Sequence, residues 1–274
     1  MEQITNASMN FKKVVCLVAM LHNTGPNNKA KKLKLGNFYT NDLEKSVKGS
    51  DLIIICTPLS TYKNILDKIS KHIMPNTILT DVGSTKLNVV KIFSKLKNVK
   101  FNILPAHPIA GTEKSGPESG FAELFNKRWC IITPMGKNNK NSLNKLKKLW
   151  NIFGSKVQIM NAKNHDKILA ITSHMPHLIS YAIVFSSLNV NAKEKSQIIK
   201  FSAGGFRDFT RIAASDATMW KDIFLNNKKF KTPPVVIIKS DIGMLIYGEN
   251  KKLEKTIIIA ETGKITDNIN NQSK

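Results

Sequence analysis

Cysteine is scarce and odd in number: Cys16, Cys56 and Cys130 cannot close a disulfide framework, and all three fall in apolar stretches that read as strands. Their absence as a framework excludes a small stapled scaffold and points to a reducing cytoplasm. Acidic residues are also few, 19 against 42 Lys plus Arg, leaving a net charge of +23. Such an excess raises nucleic acid, an anionic membrane surface or an acidic substrate as partners. Yet aromatics make up only 7% and do not interleave with basic runs, so neither specific nucleic-acid binding nor membrane attachment is expected. The apolar run near the start, Val14 to Leu21, is too short to cross a bilayer and reads as a first buried strand rather than a signal-peptide core. No internal repeat or low-complexity segment is present.

What remains is a globular composition, 42% hydrophobic and 22% charged, in a chain of 274 residues, long enough for two domains. Asp51 to Pro58 (DLIIICTP) is a continuous β-branched run closed by proline, as in a strand buried on both faces. Helical spacing follows over Thr61 to Ile73, then a strand over Thr77 to Thr80, a second helix, and a strand over Phe101 to Leu104. Trp129 to Thr133, Asn141 to Phe153 and Val157 to Met160 extend the alternation as strand, helix and strand, which predicts a parallel α/β sheet. After Asn161 the period becomes helical, from Lys163 to Phe185 with Pro176 bending the axis, and again over Ala192 to Phe201 and Met219 to Leu225. The boundary falls at residue 162, giving domains 1–162 and 163–274.

Ligands of open α/β sheets sit beyond the carboxyl ends of the strands. Three loops there are rich in small and polar residues: one starting at Cys56-Thr57-Pro58, one at Asp81-Val82-Gly83-Ser84, and one at His107. A histidine so placed can act as a base near neutral pH or merely tie its own loop, and position alone leaves both open. Thr172-Ser173-His174-Met175-Pro176-His177 puts two imidazoles on one helical face. With only His165 and Asp166 nearby, substrate hydrogen bonding or helix packing suits that pair better than zinc. In Gly204-Gly205-Phe206-Arg207-Asp208-Phe209-Thr210-Arg211 the glycines break the helical pattern, and the guanidinium groups either pair with Asp208 or grip a carboxylate.

Taken in order, TDVGSTK, HPIAGTEKSGPESGFAELF, TSHMPHLISYA and FSAGGFRDFTRIAASDATMWKDIFLNN resemble the prephenate or cyclohexadienyl dehydrogenase family, from about Lys31 to about Phe230. The resemblance implies a Rossmann-like parallel-sheet domain followed by an all-helical substrate and dimerisation domain. It implies oxidative decarboxylation of prephenate to 4-hydroxyphenylpyruvate in tyrosine biosynthesis, with hydride passing to NAD; NADP and the aminated substrate arogenate are alternatives. By the same resemblance His107 accepts the ring-hydroxyl proton and Ser84 lies beside it. Thr112, Glu113, His174, His177, Asp208 and Arg211 contact substrate, and no metal takes part. Cys56, Thr57, Pro58, Asp81 and Gly83, at the strand ends, are the candidates for cofactor contacts. A homodimer is implied.

Two stretches depart from that pattern. A dinucleotide domain opens on strand, G-x-G-x-x-G turn and helix, because glycine lets the backbone approach the pyrophosphate. Here Gly25 is the sole glycine before Gly36, and Pro26 follows it. Val14 to Ser50 is also shorter than the roughly 45 residues that two strands and two helices need, so one strand and helix are missing from the expected set. A homologue blind to cofactor but retaining its substrate cleft is therefore the rival reading. Beyond Phe230, Pro233-Pro234 stops a helix, Val235 to Lys239 looks strand-like, and helix resumes over Asn250 to Ala260.

Overall fold

The computed structural model describes residues 11–18, 30–111, 119–136, 139–188, 190–227, 238–240 and 243–245. The chain divides into two compact units, Met1–Gly111 with Gly116–Asp166, and Thr112–Ser115 with Lys167–Lys274.

In the first unit four parallel strands lie in the order β1 (Val14–Val18), β2 (Leu52–Cys56), β3 (Ile78–Asp81) and β4 (Asn102–Ile103). The apolar run around β2 becomes a central strand, paired with β1 from Leu52 to Cys56 and with β3 from Leu52 to Ile55. Its alternating side chains serve two cores. Ile53 and Ile55 pack with Tyr62, Leu66, Ile69, Val89 and Phe93; Leu52 and Ile54 pack with Ile132, Leu146, Leu149, Trp150 and Phe153. Fully burying each such aliphatic side chain contributes about 1.5–3 kcal/mol, so both cores depend on this strand.

Three helices follow the strands: α1 (Leu43–Val47), α2 (Tyr62–Ile69) and α3 (Leu87–Phe93). Asp42 caps α1 by accepting from the Lys45 amide at 2.9 Å. A 3₁₀ turn, Leu59–Thr61, leads into α2. β1 pairs directly with β2, and among the described residues no strand lies on its other side, where the sequence between Val18 and Ser50 is too short for the usual pair.

The sheet is not one continuous parallel layer. β5 (Ala106–Pro108) runs antiparallel to β6 (Trp129–Ile132), which is parallel to β7 (Lys156–Ile159), so these three form a second sheet. Pro105 has no amide to donate, which ends β4 after Ile103. The next amide, Ala106, donates to the Asp81 carboxylate at 3.2 Å instead of to a strand. His107 consequently lies inside a short buried strand rather than in the loop after it. α4 (Lys140–Ile152) covers this side with Leu146, Leu149 and Trp150.

The helical run begins with α5 (Ala162–Leu169), passes through a π-turn at Ala170–His174 and continues as α6 (Met175–Leu188). The irregularity precedes the proline that was expected to bend the axis. Pro176 cannot donate an i→i−4 bond, and the turn before it relaxes to i→i−5, with the Met175 amide reaching the Ala170 carbonyl. Ala162–Ser187 is, by length and composition, apolar enough to cross a membrane, but it carries the buried polar side chains of His165, Asp166 and His174 and reads as a core helix.

In the second unit, α7 (Ala192–Lys200) opens with a capping box between Asn191 and Glu194. α8 is Gly204–Ala213, which corrects the expectation that the glycine pair interrupts the helix. The pair occupies the first turn, whose amides have no intrahelical partner, so the usual interior cost of glycine is small there. α9 (Ala217–Asn226) follows, capped by Asp216, which accepts from the Met219 amide at 2.7 Å. Leu178, Tyr181, Val184, Ala213, Trp220, Ile223 and Phe224 form this unit's core. A hairpin of β8 (Ile238–Ser240) and β9 (Gly243–Leu245) lies where strand character was expected; residues 250–260, expected to be helical, lie outside the described residues.

Candidate functional site

β3 ends on Asp81, whose side chain has no exposed surface. A carboxylate removed from water must be met by donors. Asp81 Oδ2 accepts from the Tyr62 hydroxyl at 3.0 Å, the Gly83 amide at 2.9 Å and Lys86 Nζ at 2.5 Å, while Oδ1 accepts from the Ala106 amide. Burial pulls the Lys86 ammonium below its ordinary pKa, and the Asp81 carboxylate opposes this most strongly. The same burial, joined by the Asp81 charge, pushes the Tyr62 phenol well up and keeps it a donor. Gly83 is required by this packing: a Cβ there would lie 2.6 Å from Leu59 Cδ2 and 2.9 Å from both Asp81 Oδ2 and the Tyr62 hydroxyl.

A second buried carboxylate, Asp166 on α5, bonds the first amides of α3. Its Oδ1 accepts from the Lys86 amide at 2.6 Å and its Oδ2 from the Leu87 amide at 2.9 Å. No side chain of α3's own caps that helix end, so a residue 80 positions away does so. Asp166 Oδ1 also meets His165 Nδ1 at 2.8 Å, and His165 Nε2 meets His107 Nδ1 at 2.8 Å. Both imidazoles are buried. Burial lowers the His165 pKa, with the Asp166 hydrogen bond opposing, so the ring is held neutral.

Ser84 is half-buried in the loop between Gly83 and Lys86. Cys56 and Thr57 are half-buried where β2 ends, and Thr57 receives a 2.7 Å hydrogen bond from the Thr61 hydroxyl. In the second unit His174 is buried, its Nδ1 3.0 Å from Asn227 Nδ2, and His177 stacks on the Trp220 ring with centroids 3.5 Å apart. His174 meets the same indole edge-on. The histidine pair is thus organised by a tryptophan whose part no motif had signalled. Arg211 lies 3.7 Å from Asp208 one helical turn away, both largely exposed, a pairing worth little in water. Thr112 and Glu113 lie outside the described residues.

These two units match two family models: the nucleotide-binding domain of prephenate dehydrogenase over residues 9–159, and the dimerization domain of prephenate dehydrogenase over residues 161–233. The chain belongs to the prephenate dehydrogenase family. Cyclohexadienyl dehydrogenase of Zymomonas mobilis is 36% identical over 200 residues, covering 73% of this chain and 68% of the relative. Prephenate dehydrogenase of Bacillus subtilis is 34% identical over 66% of this chain, which spans only 49% of that protein. The crystal structure of the Aquifex aeolicus prephenate dehydrogenase, in complex with hydroxyphenyl propionate and NAD+, superposes with a TM-score of 0.69 at 30% identity, covering 80% of this chain and 84% of that one.

A dinucleotide is implied by this family, and the loop at Cys56, Thr57 and Pro58, where β2 ends, carries no charged side chain. Asp81 and Gly83, in contrast, are spent on the buried network: Asp81 offers no surface, and the space a Gly83 Cβ would fill is already taken by protein. Gly25-Pro26, which stands where a glycine-rich turn was expected, lies outside the described residues.

Two outcomes follow from this packing. Gly83→Ala forces Asp81 or Tyr62 to move and should destabilise the protein by about 1–3 kcal/mol, read as a lowered Tm; an unchanged Tm would mean the loop yields without cost. His165, with its pKa held below the ordinary 6.5, contributes stability that is complete above that pH and lost as pH falls through the lower folded value. His165→Gln removes this contribution, so Tm plotted against pH should fall less steeply below pH 6.5 in the variant than in the wild type. Parallel curves would show that His165 is not held neutral.

Proposed function

We propose that this chain oxidatively decarboxylates prephenate to 4-hydroxyphenylpyruvate in tyrosine biosynthesis, with His107 as the proton acceptor and NAD as the cofactor. The observation that carries the assignment is the buried chain from Asp166 through His165 to His107, which presents one imidazole as a base inside a family whose reaction removes a hydroxyl proton. The functional division falls near residue 162, with the cofactor residues and His107 before it and His174, His177 and Arg211 after it.

Loss of carbon dioxide makes the ring aromatic and drives the reaction, so the protein has mainly to orient the ring and take one proton. His107 accepts the proton of the ring hydroxyl as the hydroxyl carbon becomes a carbonyl carbon, and Ser84 hydrogen-bonds beside it. Arg211, held only loosely by Asp208, pairs with a substrate carboxylate, and a planar guanidinium suits that partner. His174, His177, Thr112 and Glu113 complete the substrate contacts. NAD, when bound against Cys56, Thr57 and Pro58, supplies the hydride acceptor. The segment from 163 onward pairs two copies as a homodimer, in keeping with its match to a dimerization domain, and the protein works in the cytoplasm.

Purified chain mixed with prephenate and NAD should form NADH, with arogenate and NADP run in parallel to set substrate and cofactor preference. His107→Asn should lower turnover by about 10²–10⁴-fold while leaving KM nearly unchanged. Arg211→Ala should instead raise KM by about 10–100-fold, the loss of one charge-assisted pair worth about 1.5–3 kcal/mol. No NADH from folded protein that still binds prephenate would favour a cofactor-blind homologue, for which the altered segment at 19–29 supplies the reason.

A further inference from the structure

We propose that His165 and Asp166 are positioning residues that fix the tautomer of His107, making Nε2 its basic nitrogen. The inference deepens the assignment of His107 as the base and rests on it, but its geometry is independent of any bound substrate or cofactor.

The hydrogen positions follow from the fixed end of the chain. Asp166 accepts the backbone amides of Lys86 and Leu87, which can only donate, so its carboxylate is the acceptor for His165 Nδ1–H. A neutral His165 donating from Nδ1 has a lone pair on Nε2. That nitrogen is 2.8 Å from His107 Nδ1, so His107 must donate there, which leaves its own lone pair on Nε2. When His107 takes a proton, Nδ1–H stays bonded to His165, and the ionised Asp166 at the end of the chain stabilises the charge. The other ionisable groups around this chain are Asp81 on β3, Lys86 after it, and Cys130 on β6, whose thiol burial pushes up and keeps neutral. Asp81 and Lys86 pair in a contact of their own; on His165 the Asp166 hydrogen bond and charge and the Asp81 charge favour the protonated ring, and the Lys86 charge opposes it.

Asp166 Oδ1 accepts both the Lys86 amide and His165 Nδ1–H, whereas Oδ2 accepts only the Leu87 amide. An amide at this position therefore keeps its oxygen toward His165 and Lys86, so Asp166→Asn removes the charge at the end of the chain and leaves the direction of its hydrogen bonds. The tautomer of His107 is set by the acceptor it faces, His165 Nε2, and is lost when that acceptor is removed.

The test is imidazole ¹⁵N NMR of the full chain without ligands. Wild type should show His107 and His165 each protonated on Nδ1, and a His107 protonated on Nε2 overturns the proposal. His165→Gln, which keeps an acceptor for His107 Nδ1–H, should retain the wild-type tautomer, while His165→Leu should release it to a mixture and lower turnover with KM little changed. A single Nδ1–H form in His165→Leu overturns the proposal equally. Since the spectra need neither NAD nor prephenate, failure of the proposed reaction leaves this result readable: wild-type tautomers as stated with no turnover would count against the activity alone.

Discussion

Two carboxylates withdrawn from water, Asp81 and Asp166, set the geometry of everything around His107. Each costs several kcal/mol to desolvate, and each is tolerable only because donors converge on it. Asp81 collects donors from α2, the loop after β3, and β5; Asp166 collects them from the start of α3 and from its neighbour His165. Removing one partner of such a pair leaves a buried charge uncompensated, at a cost of about 3–5 kcal/mol. That penalty holds β3, β5, α3 and the first turn of α5 in one arrangement, more strictly than apolar packing alone, which tolerates exchange among side chains of similar volume.

The same constraint suits the proposed chemistry. A base that must lose and regain a proton on each turnover works best when its ring does not rotate and its tautomer does not wander. Here the ring lies inside a strand, between Ala106 and Pro108, with its Nδ1 committed to His165. In the second unit the guanidinium of Arg211 is the opposite case: a largely exposed group 3.7 Å from Asp208, in an i,i+3 pair that contributes little in water.

Much of the framework was legible in the sequence. DLIIICTP could hardly be anything but a central parallel strand, and its two faces became two cores. His107, Ser84, the histidine pair and Arg211 were legible only through the family motifs that contain them. What was missed has a common cause in distance along the chain. His165 reaches His107 across 58 positions, and Asp166 reaches the Lys86 amide across 80, so no local spacing could link them. Asp81 was singled out because it ends a strand, and its bonds to Lys86 and Tyr62 inside the protein had no signal in local spacing. The glycine pair at 204–205 misled because glycine punctuates helices at either end, and the Trp220 stack needed the fold of α6 against α8 and α9 before it could exist. The segment at 19–29 lacks the expected glycine-rich turn in sequence and lies outside the described residues.

The most direct measurement of the central claim is kcat/KM for prephenate as a function of pH at saturating NAD. A base that must be unprotonated in free enzyme predicts a plateau that falls on the acid side with a slope of one, the acid limb vanishing in His107→Asn. A flat profile, or an acid limb that survives in His107→Asn, would contradict His107 as the group whose state the buried carboxylates control.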